Sequence, residues 1–193
     1  MLQNRVTPFG ELVAVPERGA WTGNRGVLHD HQRRIARQWQ NRRWIVCRLE
    51  FKDRHRTVMT PGRWTELFFL DEATALAAGH RPCAECRRAD FNAFAAAWPH
   101  SERRAPAIDD VLHRERLGER PAVDDTAALP DGAMVASGPQ AYLVAGGALH
   151  RWTPGGYRDP GAQPPGALVL LTPPSTVVAL ANGYRPHVAT VGP

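Results

Sequence analysis

Asp71-Glu72-Ala73-Thr74-Ala75-Leu76-Ala77-Ala78-Gly79-His80-Arg81-Pro82-Cys83-Ala84-Glu85-Cys86 is the stretch that decides the architecture. Asp71 is a short acceptor of the kind that caps a helix N-terminus. Glu72 to Ala78 is rich in helix formers, and Gly79 stands where a left-handed C-terminal residue belongs. The spacing predicts a short helix over 72–78. A second helix is predicted from about Arg88 to Trp98, because Phe91, Phe94, Ala95 and Trp98 fall at i, i+3, i+4 and i+7 and Pro99 stops it. Cys83-Ala84-Glu85-Cys86 therefore reads as a knuckle between two helices.

A Cys-x-x-Cys pair converges from a tight turn on one tetrahedral cation such as Zn2+, whose bonds to sulfur are about 2.3 Å long. A redox pair would want a strand running into the helix that bears the first cysteine. Here a helix precedes the pair, so the metal reading leads, with two buried thiols of no special chemistry as the bland alternative. Two ligands do not complete a site. The candidates for the rest are His29, His31, Cys47, His55 and His80.

Outward from the knuckle, Trp44 to Phe51 reads as a half-buried strand, since Ile45, Cys47, Leu49 and Phe51 share one face at period two. Lys52 to His55 reads as a turn, Arg56 to Thr60 as its hairpin partner and Glu66 to Leu70 as a third strand. Met1 to Leu28 is broken by prolines and glycines and reads as loop with one strand at Glu11 to Val15. Residues 99–130 are polar, with one amphipathic piece at Ile108 to Leu117, and read as a linker or lid. Beyond Gly132, short strands are predicted at Ala133 to Ala136, Ala141 to Val144, Ala148 to Trp152 and Leu168 to Leu171, then a short helix at Ser175 to Ala181. The class is α+β, with a basic zinc domain at 1–104, a linker at 105–128 and a β-rich annex at 129–193.

The chain has 193 residues and a formal charge of +5. Lys52 is its only lysine, so nearly every positive charge is a planar guanidinium suited to phosphate. Residues 25–63 hold 11 basic and 3 acidic side chains, a concentration that points to a polyanion partner or, alternatively, to a solvated face. No apolar run approaches the length of a membrane helix, and Met1 to Gly10 lacks the pattern of a secretory signal, so a cytoplasmic protein is expected. Three cysteines are too few for a disulfide framework and fit a reducing compartment. No small-molecule cofactor is evident.

Phe68 to Cys86, ending in Gly-His-Arg-Pro-Cys-x-x-Cys, resembles the second half of the zinc domain of the Ada family of DNA alkyl-phosphotriester repair proteins. Gly23-Asn24-Arg25-Gly26-Val27-Leu28-His29 resembles the upstream part of Ada-like modules attached to nucleases, with Arg33 where a cysteine would stand. The resemblance covers about residues 21–90. It implies Zn2+ held by Cys83, Cys86 and His29, with Cys47 or His31 as fourth ligand. For Cys47 the alternative is a core residue beside Ile45, Leu49 and Phe51, and for His31 a solvated histidine beside Asp30. The family's methyl-accepting cysteine is replaced by His29, so irreversible methyl transfer is not expected unless Cys47 substitutes. If neither fourth ligand binds, the open position suits hydrolysis, with Glu85 or Asp30 near in sequence as proton-transfer groups.

Arg25, Arg33, Arg34, Arg37, Arg42 and Arg43 surround the proposed ligands, interleaved with Trp39 and Trp44, and Arg81, Arg87 and Arg88 bracket the knuckle. Arginine with tryptophan is a usable surface for phosphate and base stacking, which makes DNA the expected partner. The alternative is that the tryptophans are core, the arginines are solvated and Arg81 serves the fold of the knuckle. The C-terminal stretch resembles the tail of bacterial proteins that carry the same zinc half-motif. Its Tyr142, Trp152 and Tyr157 are expected to pack on the first domain or to form a ligand pocket. The function expected is zinc-dependent DNA binding, with damaged or modified DNA among the targets considered. The rivals are a zinc-dependent hydrolase and a zinc-stapled binding module without nucleic acid.

Overall fold

The computed structural model describes residues 1–52, 57–161, 164 and 166–190. It is a mixed α+β fold of two six-stranded sheets and four α-helices among the described residues. The first sheet holds β1 (Arg5–Val6), β2 (Leu12–Val13), β3 (Trp21–Asn24), β4 (Ile45–Cys47), β5 (Leu67–Phe69) and β6 (Arg81–Pro82), in the order β2-β1-β5-β3-β4-β6. β1 runs parallel to β5, and β4 runs parallel to β6. The second sheet is antiparallel throughout: β7 (Ala122–Val123), β8 (Met134–Ser137), β9 (Gln140–Ala145), β10 (Ala148–Thr153), β11 (Gly156–Gly161) and β12 (Leu168–Leu170), ordered β11-β10-β9-β8-β12-β7.

The helices are α1 (Glu72–Ala77), α2 (Arg88–Ala97), α3 (Ala105–Leu117) and α4 (Pro174–Ala181). α1 starts where Asp71 caps it, the carboxylate accepting the Thr74 backbone N–H at 2.8 Å, and it ends before Gly79 at φ +80°. All six of its residues are buried. Its Leu76 joins a core built from α2, α3, α4 and the second sheet, Ala73 and Ala77 face strands β8, β9 and β11, and Ala75 packs with Val46, Leu67 and Phe69 of the first sheet.

Residues 99–130, expected as a linker, contain α3, whose Ile108 and Leu112 are fully buried in the core with Phe94, Trp98, Val135 and Leu180. The signal lies in the i, i+4 spacing of those two residues within an otherwise charged helix. The N-terminal 28 residues hold three strands rather than one. β3 escapes pattern reading because Gly23 interrupts its alternation, and the glycine is required there: a Cβ would lie 2.1 Å from the Ile45 carbonyl oxygen of the neighbouring strand. The hairpin expected between 44–51 and 56–60 is not formed by the described residues. β4 pairs instead with β3 and β6, and residues 57–60 turn.

Ile108→Ala is expected to cost about 2–5 kcal/mol in denaturant unfolding, the range for emptying a fully buried aliphatic site. A change under about 0.5 kcal/mol, typical of surface positions, would place α3 outside the core.

Candidate metal centre

Cys47, Cys83 and Cys86 bring their sulfur atoms within 4.8 Å of one another, and all three are free thiols. Strand pairing delivers them. β4 and β6 run parallel with Ile45 opposite Arg81 and Val46 opposite Pro82, so Cys47 and Cys83 meet where both strands end. The Cys83 N–H donates to the Val46 carbonyl at 2.9 Å and fixes that register. The knuckle then folds back: the Glu85 N–H approaches Cys83 Sγ at 3.4 Å, and the Arg87 N–H donates to the Cys83 carbonyl at 3.1 Å as α2 begins.

The three thiols shift one another strongly. Hydrogen bonds from the Cys47 and then the Cys86 thiol pull the Cys83 thiol well below its ordinary range, against burial. The same bond to Cys83 pushes Cys47 up, helped by its bond to Cys86 and by burial. At Cys86 the bond with Cys47 acts downward, but the bond with Cys83 and burial outweigh it and the net shift is upward. Ionising all three requires a positive charge between them, and three converging soft donors can hold a metal ion.

The thiols stand at one end of a groove of about 580 Å³ lined by one face of the first sheet. Thr22 lies opposite both Cys47 and Phe68, and Asn24 lies opposite Ile45, so these residues and Glu66 form a continuous floor. Val46, Leu67 and Phe69, which alternate with them, face the core. Arg43, Arg48, Trp64 and Phe51 contribute walls. Arg48, Trp64 and Glu66 belong to no motif in the sequence that marks them as site residues. Placing Glu66 and Phe68 on the cysteine face follows from period-two alternation in β5, but only once β5 is known to pair with β3.

Among the described residues, no histidine joins the thiols. His29 is buried, with Nδ1 2.6 Å from Thr65 Oγ1 and Nε2 3.2 Å from the Thr60 carbonyl, so both ring nitrogens are engaged in tying its loop to residues 60–65. Thr65 Oγ1 also accepts the Leu28 N–H, so one threonine hydroxyl joins the His29 ring to its own loop. His80 is fully buried: its Nδ1 faces the Ala75 carbonyl and its Nε2 accepts from Arg25 Nε at 3.2 Å. Burial and then the positive charges of Arg25 and Arg116 hold it well below the usual histidine range, hence neutral. His31 is exposed, and His55 lies outside the described residues.

The arginines divide. Arg25, Arg81 and Arg87 are almost fully buried and serve the fold. Arg81 forms a bidentate pair with Asp109 at 2.9 and 2.8 Å, Arg87 pairs with Glu72 and Asp90, each at 2.8 Å, and Arg25 lies 3.9 Å from the centre of the Trp44 ring. Arg33, Arg37, Arg43 and Arg88 are exposed, while Arg34 and Arg42 form surface pairs with Asp30 and Asp110. Charge counting cannot separate these classes, because the buried partners lie 28 and 15 residues away in sequence. Trp44 is buried and Trp39 is 38% exposed, so at most one of the two tryptophans is open for stacking.

Asp109→Ala leaves Arg81 as a buried, unpaired cation and is expected to cost about 3–5 kcal/mol in chemical unfolding, whereas Asp110→Ala, which removes an exposed pair, costs under about 1 kcal/mol. Equal small losses would mean that Arg81 reaches solvent. Compared with known proteins, the chain matches no protein-family model, no curated protein and no solved structure.

Proposed function

We propose that the chain is a zinc-thiolate protein that binds DNA along the groove leading to its three cysteines. The observation that carries this reading is the juxtaposition of Cys47, Cys83 and Cys86 with a groove walled by Arg43, Arg48 and aromatic side chains. Soft, tetrahedrally convergent sulfur favours Zn2+ among the divalent ions a reducing compartment supplies. Cys47, Cys83 and Cys86 would hold it, and the ion would neutralise the clustered thiolates and link the ends of β4 and β6 to α2. Guanidinium groups beside aromatic rings suit a backbone phosphate next to an unstacked base, and this supports DNA, damaged or modified DNA included, as the partner. The Ada-like resemblance at Gly79 to Cys86 supports the same reading.

A hydrolytic reading rests on a different feature of the same geometry. Three protein ligands leave a fourth position, and Glu85, an exposed carboxylate that lines the same groove as the thiols, is available for proton transfer.

Metal-stripped protein is expected to take up one equivalent of Zn2+ per chain, and Cys47→Ser to weaken that uptake by more than the ~10–100-fold typical of losing an outer-shell partner. In the zinc-loaded chain, affinity for a fluorescent DNA should fall with salt, and changing Arg43 and Arg48 to Gln should reduce the log–log slope by about 0.9 for each phosphate that is no longer neutralised. Zinc uptake without salt-dependent DNA affinity rejects the DNA reading. Zinc-dependent phosphodiester cleavage that disappears in Glu85→Gln establishes the hydrolytic one.

A further inference from the structure

A second cavity, of about 390 Å³, shares no lining residue with the cysteine groove. Arg25, Arg116 and Arg120 stand in its wall together with Trp39 and Trp44. The guanidinium groups of Arg25 and Arg116 both lie over the Trp44 ring, at 3.9 and 4.0 Å from its centre. Arg25 is 1% exposed. Its Nη1 donates to the Gly10 carbonyl at 2.8 Å and its Nε to neutral His80, while its Nη2 has no hydrogen-bond partner. Arg116 donates to the carbonyls of Gly79 and Arg42, and its Nε is likewise buried without a partner.

No carboxylate among the described residues pairs with Arg25 or Arg116. Asp109, the acid nearest to Arg116 in its electrostatic effect, is held by Arg81 in a bidentate pair. Burial, and then the charge of Arg116, lowers Arg25 to about 9, and burial lowers Arg116 to about 9 as well, so both guanidinium groups remain cationic at neutral pH. Of the two acids in the wall, Glu115 is occupied by the Ser175 N–H and hydroxyl, and Glu11 is exposed and faces Arg120 only through its field. Arg120 Nη2 donates to the Phe9 carbonyl at 2.9 Å at the outer edge of the same wall.

A fully buried cation beside a half-buried one, neither held in an ion pair, is costly in a folded protein, and this fold keeps both in the wall of a cavity of ligand size. We propose that this cavity binds a small oxyanion ligand, bearing phosphate or carboxylate, held by Arg116 and Arg120, with the buried charge of Arg25 adding to the attraction and the Trp39 indole against the ligand's remaining part. The planar donors match the bidentate geometry of either oxyanion, and the anion supplies the negative charge that the protein itself withholds.

Calorimetric titration of the full chain with inorganic phosphate and, separately, with succinate, in a buffer free of other oxyanions, tests the site. At least one anion is expected to bind saturably at one per chain. Arg116→Gln and Arg120→Gln should each weaken it by about tenfold or more, while the exposed Arg103→Gln has no effect. Arg120 lies at the outer edge of the wall, so its variant reports even where Arg116→Gln compromises folding. Binding of phosphate alone assigns a phosphorylated ligand, and binding of succinate alone a carboxylate one. No saturation by either anion up to about 10 mM, or binding unchanged by both substitutions, overturns the proposal.

Discussion

Two carboxylates at the start of one buried six-residue helix carry connections on which both sheets depend. Asp71 caps α1, accepts the Tyr157 hydroxyl at 2.8 Å from β11, and accepts the Ala189 N–H at 2.9 Å from the C-terminal segment. Glu72, fully buried, accepts the Tyr184 hydroxyl at 2.6 Å and the His187 N–H at 2.9 Å, and pairs with Arg87 at the head of α2. Buried carboxylates are tolerated only when saturated with donors, and here Tyr157, Tyr184, His187 and Ala189 donate from segments more than eighty residues away in sequence. Burial still lifts Asp71 above the usual carboxylate range despite its hydrogen bonds, a measure of how dry the junction is.

This junction positions both candidate sites. α1 runs directly into Gly79, His80 and β6, so anchoring its N-terminus sets where Cys83 emerges beside Cys47. The Arg87 that answers Glu72 also lies 4.2 Å from the centre of the Trp21 ring and ties α2, and with it Cys86, to β3. At the opposite end of α1, Gly79 lies under the Arg116 side chain, whose Cδ would be 2.7 Å from any Cβ at that position. Only glycine lets Arg116 cross there to reach Trp44 and the second cavity.

Much of this is legible in local sequence. The cap at Asp71, the stop at Gly79 and the amphipathic spacing of Phe91, Phe94 and Trp98 depend on near neighbours, and the structure has them, whereas the Cys-x-x-Cys turn expected between two helices instead joins the short strand β6 to α2, because Arg81 and Pro82 pair with β4. The period-two pattern over 44–51 marks a strand of which the structure keeps only Ile45–Cys47, with Leu49 50% exposed and Val46 facing the core. It cannot say that Cys47 faces the knuckle, because that depends on a parallel pairing with residues 36 positions away. Resemblance of spacing points to His29 as a ligand, yet a threonine and a carbonyl on residues 60–65 satisfy both of its nitrogens. The arginines mislead for an electrostatic reason: formal charge counts Arg25, Arg81 and Arg87 with the exposed residues, although each is held inside by partners remote in sequence. The basic stripe that remains is narrower, and Arg43 and Arg48 place part of it beside the thiols.

The proposed site takes Cys47, Cys83 and Cys86 as its metal ligands, and no histidine of the described residues. Zinc K-edge X-ray absorption of the zinc-loaded chain tests it most directly. The account predicts three sulfur neighbours at about 2.3 Å and one lighter neighbour at about 2.0–2.1 Å, with no imidazole scattering. Two sulfurs accompanied by imidazole would contradict it and return His29 or His31 to the coordination sphere.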